Sequence, residues 1–147
     1  MEVEENPTWL AVVAAVLIDD RGRWLMHKRP AGKHHGGLWE YPGGKVESGE
    51  TPANALVREI AEELGVALRA RDLEPAGFAQ TGEGDGEPPI VIMLYTCRLW
   101  SGVPQALEGG EIAWFTPQQA ALLDKPPLDR ALLAQLCRLL DRADRRG

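Results

Sequence analysis

The sequence predicts an α/β domain with a mixed β-sheet, and three observations support this fold class. Apolar, β-branched segments of strand length recur along the chain, beginning with LAVVAAVLIDD at residues 10–20. A segment with the apolar spacing of a helix interrupts them between residues 51 and 65, and a second such segment closes the chain. Strands that alternate with a few helices are typical of α/β domains.

The strands follow from the length and the apolar content of each segment. Residues 10–20 are nearly all apolar, which predicts a strand buried on both faces. A turn at residues 20–22 leads into a hairpin partner at residues 23–29. Further strands are predicted at residues 38–45, where a short strand runs into a glycine turn, and at residues 74–80, 90–100 and 111–115. Loops are predicted at residues 30–37 and 81–89.

The helices have recognisable ends and apolar faces. Thr51 is a good N-cap, Pro52 suits the first helical position, and Gly65 suits the residue after the last turn. The apolar stripe of this helix consists of Ala53, Leu56, Val57, Ile60 and Leu64. Residues 116–117 begin a short helix, and an amphipathic helix spans about residues 129–144. Its inward-facing residues are predicted to be Leu132, Leu133, Leu136, Leu139 and Leu140.

Composition limits the class of protein. A chain of 147 residues with 44% hydrophobic and 26% charged residues fits one globular domain over residues 1–147, with residues 1–7 as a flexible lead. The net charge of −6 argues against a surface for a nucleic acid polymer. Cys97 and Cys137 lie in apolar stretches without metal-ligand spacing, which predicts buried thiols in a reducing compartment.

The sequence favours a cytoplasmic location. The first residues, MEVEENPTW, are acidic and polar, unlike a signal peptide. No apolar run approaches the length of a membrane span. We therefore expect no membrane partner.

Three carboxylates crowd one end of the central helix. Glu59, Glu62 and Glu63 fall on about one helical turn, and like charges four residues apart destabilise an isolated helix by about 0.2–0.5 kcal/mol. No lysine lies among them. A set of oxygen donors without a thiolate or an imidazole favours Mg²⁺ or Mn²⁺ over Zn²⁺. The alternative interpretation is a solvated acidic helix face.

The segment GKVESGETPANALVREIAEELGV, residues 44–66, resembles the signature of the Nudix hydrolases. That signature is Gly, five residues, Glu, seven residues, and then Arg-Glu-apolar-x-Glu-Glu-x-Gly-apolar. All nine specified positions are matched, by Gly44, Glu50, Arg58, Glu59, Ile60, Glu62, Glu63, Gly65 and Val66. The resemblance extends over about residues 10–140 and implies the Nudix fold, a mixed β-sheet sandwiched between helices (α/β/α).

Other segments resemble the MutT-like branch of these hydrolases, which converts nucleoside triphosphates into nucleoside monophosphate and pyrophosphate. These segments are WEYPGGKVE, EGGEIAWFTP and KPPLDRALL. The resemblance implies Mg²⁺ as the cofactor, with Mn²⁺ as the alternative. The implied ligands are the carbonyl oxygen of Gly44 and the carboxylates of Glu59, Glu62 and Glu63.

The resemblance also implies a set of catalytic residues, which are Arg58, Glu59, Glu62 and Glu108. Glu50 is expected to orient Arg58 or to serve as a further ligand. Glu108 matches a loop glutamate that reaches the metal site, where such a reaction needs a general base. The alternative for Glu108 is an exposed loop carboxylate beside two glycines.

Substrate recognition is predicted to involve Arg29, Lys45 and Asp129. Arg29 and Lys45 are candidates for phosphate binding, with ordinary surface charge as the alternative. Asp129 departs from the asparagine that MutT-like enzymes acting on 8-oxo-dGTP carry here. An ionised carboxylate only accepts hydrogen bonds, so Asp129 suits the N1–H and amino groups of a guanine or the amino group of a cytosine. The competing interpretation makes Asp129 a helix N-cap.

We therefore expect an enzyme that acts on 8-oxo-dGTP, with cytidine triphosphates as the alternative substrates. The ADP-ribose branch of the superfamily carries a proline downstream of the signature, and the dinucleoside polyphosphate branch carries a tyrosine there. This chain has Thr81 and Gly82 in that region, which disfavours both. A non-catalytic nucleotide-binding module usually lacks one or more signature glutamates, and none is missing here. The partners expected are a nucleoside triphosphate and, at most, a second copy in a homodimer.

Overall fold

The structure, a computed structural model, describes residues 9–81 and 89–146. Two predicted segments lie outside this range, namely the lead at residues 1–7 and residues 82–88 of the loop predicted at 81–89. The strands are β1 (Leu10–Leu17), β2 (Trp24–Lys28), β3 (Trp39–Glu40), β4 (Gly43–Lys45), β5 (Glu74–Gln80), β6 (Ile90–Cys97) and β7 (Glu111–Phe115). The α-helices are α1 (Pro52–Leu64), α2 (Pro117–Leu122) and α3 (Pro127–Arg146).

The strands form two sheets. The larger sheet has the order β4-β1-β6-β5, in which β1 and β6 run parallel and the other neighbours run antiparallel. The smaller sheet is antiparallel and has the order β3-β2-β7. The predicted mixed sheet is therefore present as the larger of the two.

Strand β1 is buried on both faces, as its apolar sequence predicts. Val13, Ala15 and Leu17 share one core cluster with the apolar stripe of α1. The alternate residues of β1 share a second cluster with α3, because successive side chains of a strand point to opposite faces. The α/β/α arrangement is thus confirmed, with α1 and α3 covering opposite faces of the larger sheet.

Helix α1 has the ends that its sequence predicts. Thr51 is the N-cap, and its side chain accepts a hydrogen bond from the N–H of Asn54 at 3.3 Å. Gly65 ends the helix in the left-handed region with φ of 70°, and its N–H donates to the carbonyl of Ala61. These caps fix where the last turn of α1 lies, and that turn carries Glu62 and Glu63.

The segment predicted as one strand at residues 38–45 is divided between the two sheets. Trp39 and Glu40 pair with β2, whereas Gly43–Lys45 pairs with β1, and Tyr41 and Pro42 connect the two. The expected glycine turn is therefore a strand. A Cβ on Gly43 would meet the carbonyl oxygen of Val13, so only glycine allows the chain to approach β1 this closely.

Helix α3 differs from its prediction at both ends. It begins at Pro127, two residues before the predicted start at Asp129, since proline is well accommodated in the first turn of a helix. Leu132 and Leu136 are fully buried, but Leu139, predicted to face inward, is 40% exposed. The helix extends beyond the protein body here, because residues 141–145 are all exposed.

Both cysteines are free thiols. Cys97 is buried, as predicted, and Cys137 is half-buried against the core cluster that α3 shares with β1. Burial raises the pKa of both thiols above the usual range. Of the helices in residues 9–81 and 89–146, none combines the length and the hydropathy needed to cross a membrane.

Candidate active site

The second half of α1 presents three carboxylates in three different environments. Glu63 is buried, and its Oε2 accepts a hydrogen bond from the N–H of Gly43 at 3.1 Å. Glu59 has 18% of its side chain exposed, and its carboxylate lies against Gly44. Glu62 is half exposed. The helical spacing thus aims two carboxylates at the glycines of β4 and leaves the third beside them at the solvent.

The donor atoms at this end of α1 suit a hard divalent cation. A Cβ on Gly44 would collide with the Glu59 carboxylate, so the backbone of Gly44 lies directly beside that side chain. Carboxylate and backbone carbonyl oxygens are the ligands that Mg²⁺ and Mn²⁺ prefer. The predicted ligands therefore suit such an ion in their chemistry, and Glu59 lies beside Gly44. Among the described residues, however, the three side chains whose ligand atoms lie within 4.8 Å of one another are His27, Glu40 and Glu63, not Glu59, Glu62 and Glu63.

Arg58 connects the carboxylates of α1 to the preceding loop. Its guanidinium binds Glu50 through two hydrogen bonds of 2.8 Å each, which is the orienting role predicted for Glu50. Its Nη1 lies 3.0 Å from a Glu59 oxygen and 3.4 Å from a Glu62 oxygen. Its Nη2 donates to the carbonyl of Lys45 at 3.0 Å. The like-charge repulsion expected from the sequence is thus relieved in part by Arg58 itself.

The contact between Arg58 and Glu50 shifts the pKa values of both groups so that both stay charged. The hydrogen bonds from Arg58 lower the pKa of Glu50 to about 2. The Glu50 carboxylate in turn raises the pKa of Arg58 above its usual value. Both groups are ionised at any physiological pH, so Arg58 holds its position between Glu59 and Glu62 as a fixed positive charge.

His27 is a buried polar residue that sequence reasoning missed. It lies on β2 among apolar neighbours, and its Nδ1 is 3.5 Å from Glu63 Oε1 and 3.7 Å from Glu40 Oε1. Its Nε2 lies 2.9 Å from the carbonyl oxygen of Gly109. The signal in the sequence was a histidine within the apolar strand WLMHK, which indicates a polar group that needs a partner.

The pKa values of Glu63 and His27 are both raised. Burial raises the pKa of Glu63, and the neighbouring Glu40 and Glu108 carboxylates add to the effect, against the opposing influence of His27. The Glu40 carboxylate is the main cause of a raised pKa at His27. The carboxylates of Glu40 and Glu108 thus favour a proton or another positive charge at this cluster.

The loop that carries Glu108 is fastened to the same cluster. The N–H of Leu107 donates to the carbonyl of Glu63 at 3.0 Å, and the Gly109 carbonyl faces His27. Glu108 is itself exposed, yet it lies near enough to Glu63 to raise the pKa of that residue. Both neighbours of Glu108 are therefore held beside Glu63 and His27, at the end of α1 that carries the signature carboxylates.

Asp129 lies inside α3 and not at the N-cap position that one sequence interpretation gave it. It lies within the first turn of α3 and is buried, and its Oδ2 accepts a hydrogen bond from the N–H of Tyr41 at 3.0 Å. The N-cap interpretation is therefore wrong, because the helix begins two residues earlier. The contact links Asp129 to the segment that also supplies Glu40, Gly43 and Gly44.

The buried Asp129 carboxyl has a raised pKa of about 6, mainly because burial disfavours its charge. A carboxyl group with a folded-state pKa above its usual value of 3.8 costs stability wherever it is ionised. The cost is absent below about pH 4, grows between about pH 4 and pH 6, and is fully present above that window. Glu40 contributes to the shift, whereas the N–H of Tyr41 and the charge of Arg29 oppose it.

The variant Asp129→Asn should therefore be more stable than the natural protein at about pH 8, by about 2–3 kcal/mol, and equally stable at about pH 4. An asparagine oxygen can still accept the hydrogen bond of Tyr41 while carrying no charge. Urea unfolding at both pH values measures the difference. An equal gain at both pH values would show that ionisation of Asp129 is not its cause.

The two basic residues predicted to bind phosphate both lie near the site, but Arg29 is hydrogen-bonded and Lys45 is exposed. Arg29 donates to Glu40 Oε2 at 2.9 Å and to the carbonyl of His34 at 2.9 Å, so it is already engaged. Lys45 is exposed on β4, next to Gly44. His34 and His35 lie in an exposed turn with their rings 3.9 Å apart, as expected for loop residues.

Comparison with known proteins gives matches over most of the chain. Residues 8–136 match the family model described as NUDIX domain. The chain is 34% identical over 123 residues to the CTP pyrophosphohydrolase of Escherichia coli K12, covering 82% of this chain and 87% of that protein. It is 29% identical over 133 residues to the 8-oxo-dGTP diphosphatase of the same strain, covering 88% and 98%. The solution structure of the E. coli ORF135 protein matches with a TM-score of 0.80 and 34% identity, covering 91% and 92%.

Proposed function

This chain belongs to the NUDIX domain family, and on that premise we propose that it hydrolyses an oxidised guanine nucleotide of the 8-oxo-dGTP type to monophosphate and pyrophosphate. Nudix hydrolases depend on divalent metal ions, and the acidic end of α1 suits one. The observation that carries the proposal is the short segment from Glu40 to Gly44. It contacts the carboxylates of α1 on one side and Asp129 on the other, so a phosphate site and a base site would lie at its two ends.

The proposed ion is Mg²⁺, held by Glu59, Glu62, Glu63 and the Gly44 carbonyl. When bound, such an ion stabilises negative charge on the phosphates and lowers the pKa of a bound water. The protein groups supply the remaining functions. Arg58 holds Glu59 and Glu62 in place through Nη1, and Glu108 accepts the proton of the attacking water.

The chain has a net charge of −6, which repels a triphosphate. Basic side chains at the site are therefore needed to hold the phosphates. Lys45 is exposed beside the acidic end of α1 and is free to reach a phosphate chain. Arg29 reaches the same region but binds Glu40, so it would hold the phosphates only by sharing its guanidinium with that carboxylate. We assign phosphate binding to both, with Lys45 the more accessible.

Asp129 is the residue that we assign to base recognition. An ionised carboxylate accepts hydrogen bonds and cannot donate them. The imidazole edge of 8-oxoguanine carries an N7–H donor, whereas unmodified guanine has an acceptor at N7. A carboxylate facing that edge would therefore favour the oxidised base, while contacts to N1–H and the amino group would not distinguish the two bases.

Cytidine triphosphates are the second candidate substrates. The chain is 34% identical to the CTP pyrophosphohydrolase of E. coli, and a cytosine amino group also donates to a carboxylate. A non-catalytic nucleotide-binding role is disfavoured, because all the signature glutamates are present and Glu59 and Glu63 are positioned against β4.

A substrate comparison tests the proposal directly. The protein with Mg²⁺ is supplied separately with 8-oxo-dGTP, dGTP, CTP and dCTP, and monophosphate and pyrophosphate are measured together. We expect 8-oxo-dGTP to give the highest kcat/KM. A higher kcat/KM with CTP would establish the second candidate, and the absence of pyrophosphate with every substrate would contradict the assignment as a hydrolase.

The variant Asp129→Ala should lose base selectivity. A hydrogen bond to a charged group contributes about 1.5–3 kcal/mol, so the ratio of kcat/KM between the best and worst bases should fall by about 10-fold to 100-fold. The rate with the poorest substrate should change little. Asp141→Ala serves as the matched control, because Asp141 is an exposed aspartate on the same helix. Unchanged selectivity in Asp129→Ala would remove the assignment.

The proposed reaction uses free nucleotides, and we propose a cytoplasmic location for it. The acidic net charge gives no support to binding of a nucleic acid polymer. The two free thiols suit a reducing compartment. We propose a monomer or a homodimer as the working form.

A further inference from the structure

His27, Glu40 and Glu63 place three potential metal-binding atoms close together. One ligand atom from each lies within 4.8 Å of the other two. The Nδ1 atom of His27 is 3.5 Å from Glu63 Oε1 and 3.7 Å from Glu40 Oε1. A tetrahedral Zn²⁺ ion with bonds of about 2.0–2.1 Å holds its ligand atoms about 3.3–3.4 Å apart. The imidazole nitrogen and the two carboxylates are thus already near the separation that one small ion requires.

The His27 ring is deeply buried, and one of its nitrogens lacks a partner. The residue is 6% exposed, and Nδ1 has no hydrogen-bond partner in the part of the chain that the structure describes. A buried polar atom left unpaired costs about 1–3 kcal/mol. In the unprotonated ring, the lone pair on Nδ1 is also repelled by the two nearby carboxylates. A cation among the three side chains removes both costs.

In each of the three side chains, one atom faces the cluster and the other forms a hydrogen bond that fixes the orientation of the side chain. The N–H on Nε2 of His27 donates to the carbonyl of Gly109 at 2.9 Å, which leaves the lone pair on Nδ1. The Oε2 atom of Glu40 accepts from Arg29 at 2.9 Å, and the Oε2 atom of Glu63 accepts from the N–H of Gly43 at 3.1 Å. Ligand residues in metalloproteins are characteristically oriented by such hydrogen bonds.

We propose that His27, Glu40 and Glu63 form a second cation site, which binds a transition-metal ion such as Zn²⁺. An imidazole nitrogen suits Zn²⁺ and related transition-metal ions, whereas Mg²⁺ prefers oxygen ligands alone. Three protein ligands leave one tetrahedral position open, as in zinc sites that bind water or a substrate oxygen. No imidazole lies near the signature carboxylates in the sequence. The pairing of β2 with β3 places His27 beside Glu40, and Glu63 of α1 comes within 3.5 Å of His27 in the folded chain.

The second site shares only Glu63 with the Mg²⁺ site of the proposed function. Glu59 and Glu62 take no part in it, and His27 and Glu40 take no part in the signature. Metal binding can therefore be measured without substrate, so that a failed binding experiment and a failed activity assay are separate results.

The experiment uses Co²⁺ as a spectroscopic substitute for Zn²⁺ and a protein in which His27 is the only histidine. The chain has three histidines, and the other two lie in an exposed turn where they could bind metal loosely. His34→Gln and His35→Asn remove them, and asparagine tolerates the φ of 60° at position 35. Visible absorption during titration of the tag-free protein with Co²⁺ reports the site, and competition with Zn²⁺ gives the Zn²⁺ affinity.

We expect this parent protein to bind one Co²⁺ with intense absorption that Zn²⁺ abolishes and that excess Mg²⁺ leaves in place. Adding His27→Gln or Glu40→Gln should weaken binding at least about 100-fold, beyond the 10–100-fold loss typical of removing an orienting partner. Glu59→Gln is the matched control and should retain the spectrum. Near-parental affinity in both the His27→Gln and the Glu40→Gln proteins would overturn the proposal, as would loss of the spectrum in Glu59→Gln.

Discussion

Replacing Glu59 or Glu62 with glutamine should lower kcat by about 10³-fold or more while the protein stays folded. Glu59 faces Gly44, and Glu62 lies one helical turn after Arg58. Both carboxylates therefore border the proposed Mg²⁺ position. A metal ion contributes several kcal/mol to stabilising charge in the transition state, and each 1.36 kcal/mol is a factor of ten in rate. Steady-state kinetics with saturating Mg²⁺ and each candidate substrate measures the loss.

The stability of these variants separates a catalytic role from a structural one. Glu59 and Glu62 both lie beside Arg58. Removing one carboxylate therefore removes a like-charge repulsion, which stabilises the fold, and an ion pair with Arg58, which destabilises it. We expect the free energy of unfolding without metal to change by no more than about 0.5 kcal/mol. Glu47→Gln is the matched control, because Glu47 is an exposed carboxylate 3.8 Å from Arg58 outside the predicted ligand set. Near-normal turnover in both variants would rule out the assigned site.

Glu108→Gln should lower kcat by about 10²–10⁴-fold with little change in KM, since general-base catalysis contributes about that factor. The loop residues on either side of Glu108 are bound to Glu63 and His27, so the carboxylate is held near the place where water would attack. Glutamine keeps the size of the side chain and cannot accept the proton. The measurement is kcat and KM from about pH 6 to pH 9 for both proteins.

Glu111→Gln is the control for this variant, because Glu111 is exposed and follows the same two glycines. It should behave like the natural protein. A change in KM alone for Glu108→Gln would instead assign the residue to substrate binding, and unchanged kinetics would leave it an ordinary loop carboxylate.

Local sequence patterns predicted most of the secondary structure, because the relevant signals are local. Thr51, Pro52 and Gly65 define the ends of α1 through backbone conformation and capping, which depend on neighbouring residues. The unbroken apolar run of β1 indicated burial on both faces for the same reason. The errors occurred where distant packing decides the outcome. Residues 43–45 form a strand only because β1 accepts them, and Leu139 is exposed because α3 extends past the protein body.

The family was also determined by the sequence. The spacing of Glu59, Glu62 and Glu63 within one helix fixes their mutual positions wherever that helix lies, so the signature identified the Nudix fold before the structure did. The pairing of Glu50 with Arg58 was likewise expected. Both are separated by eight residues across the start of α1, and a long side chain spans that distance.

Tertiary structure alone decided which other residues join this site. His27 and Glu63 are 36 positions apart, and Tyr41 and Asp129 are 88 apart. The packing of α1 brings the first pair together, and the packing of α3 brings the second pair together. The burial of Asp129 and Glu63, and hence their raised pKa values, has the same origin. A pattern of residues fixes distances along one helix or strand, whereas contacts between elements depend on how the whole chain packs.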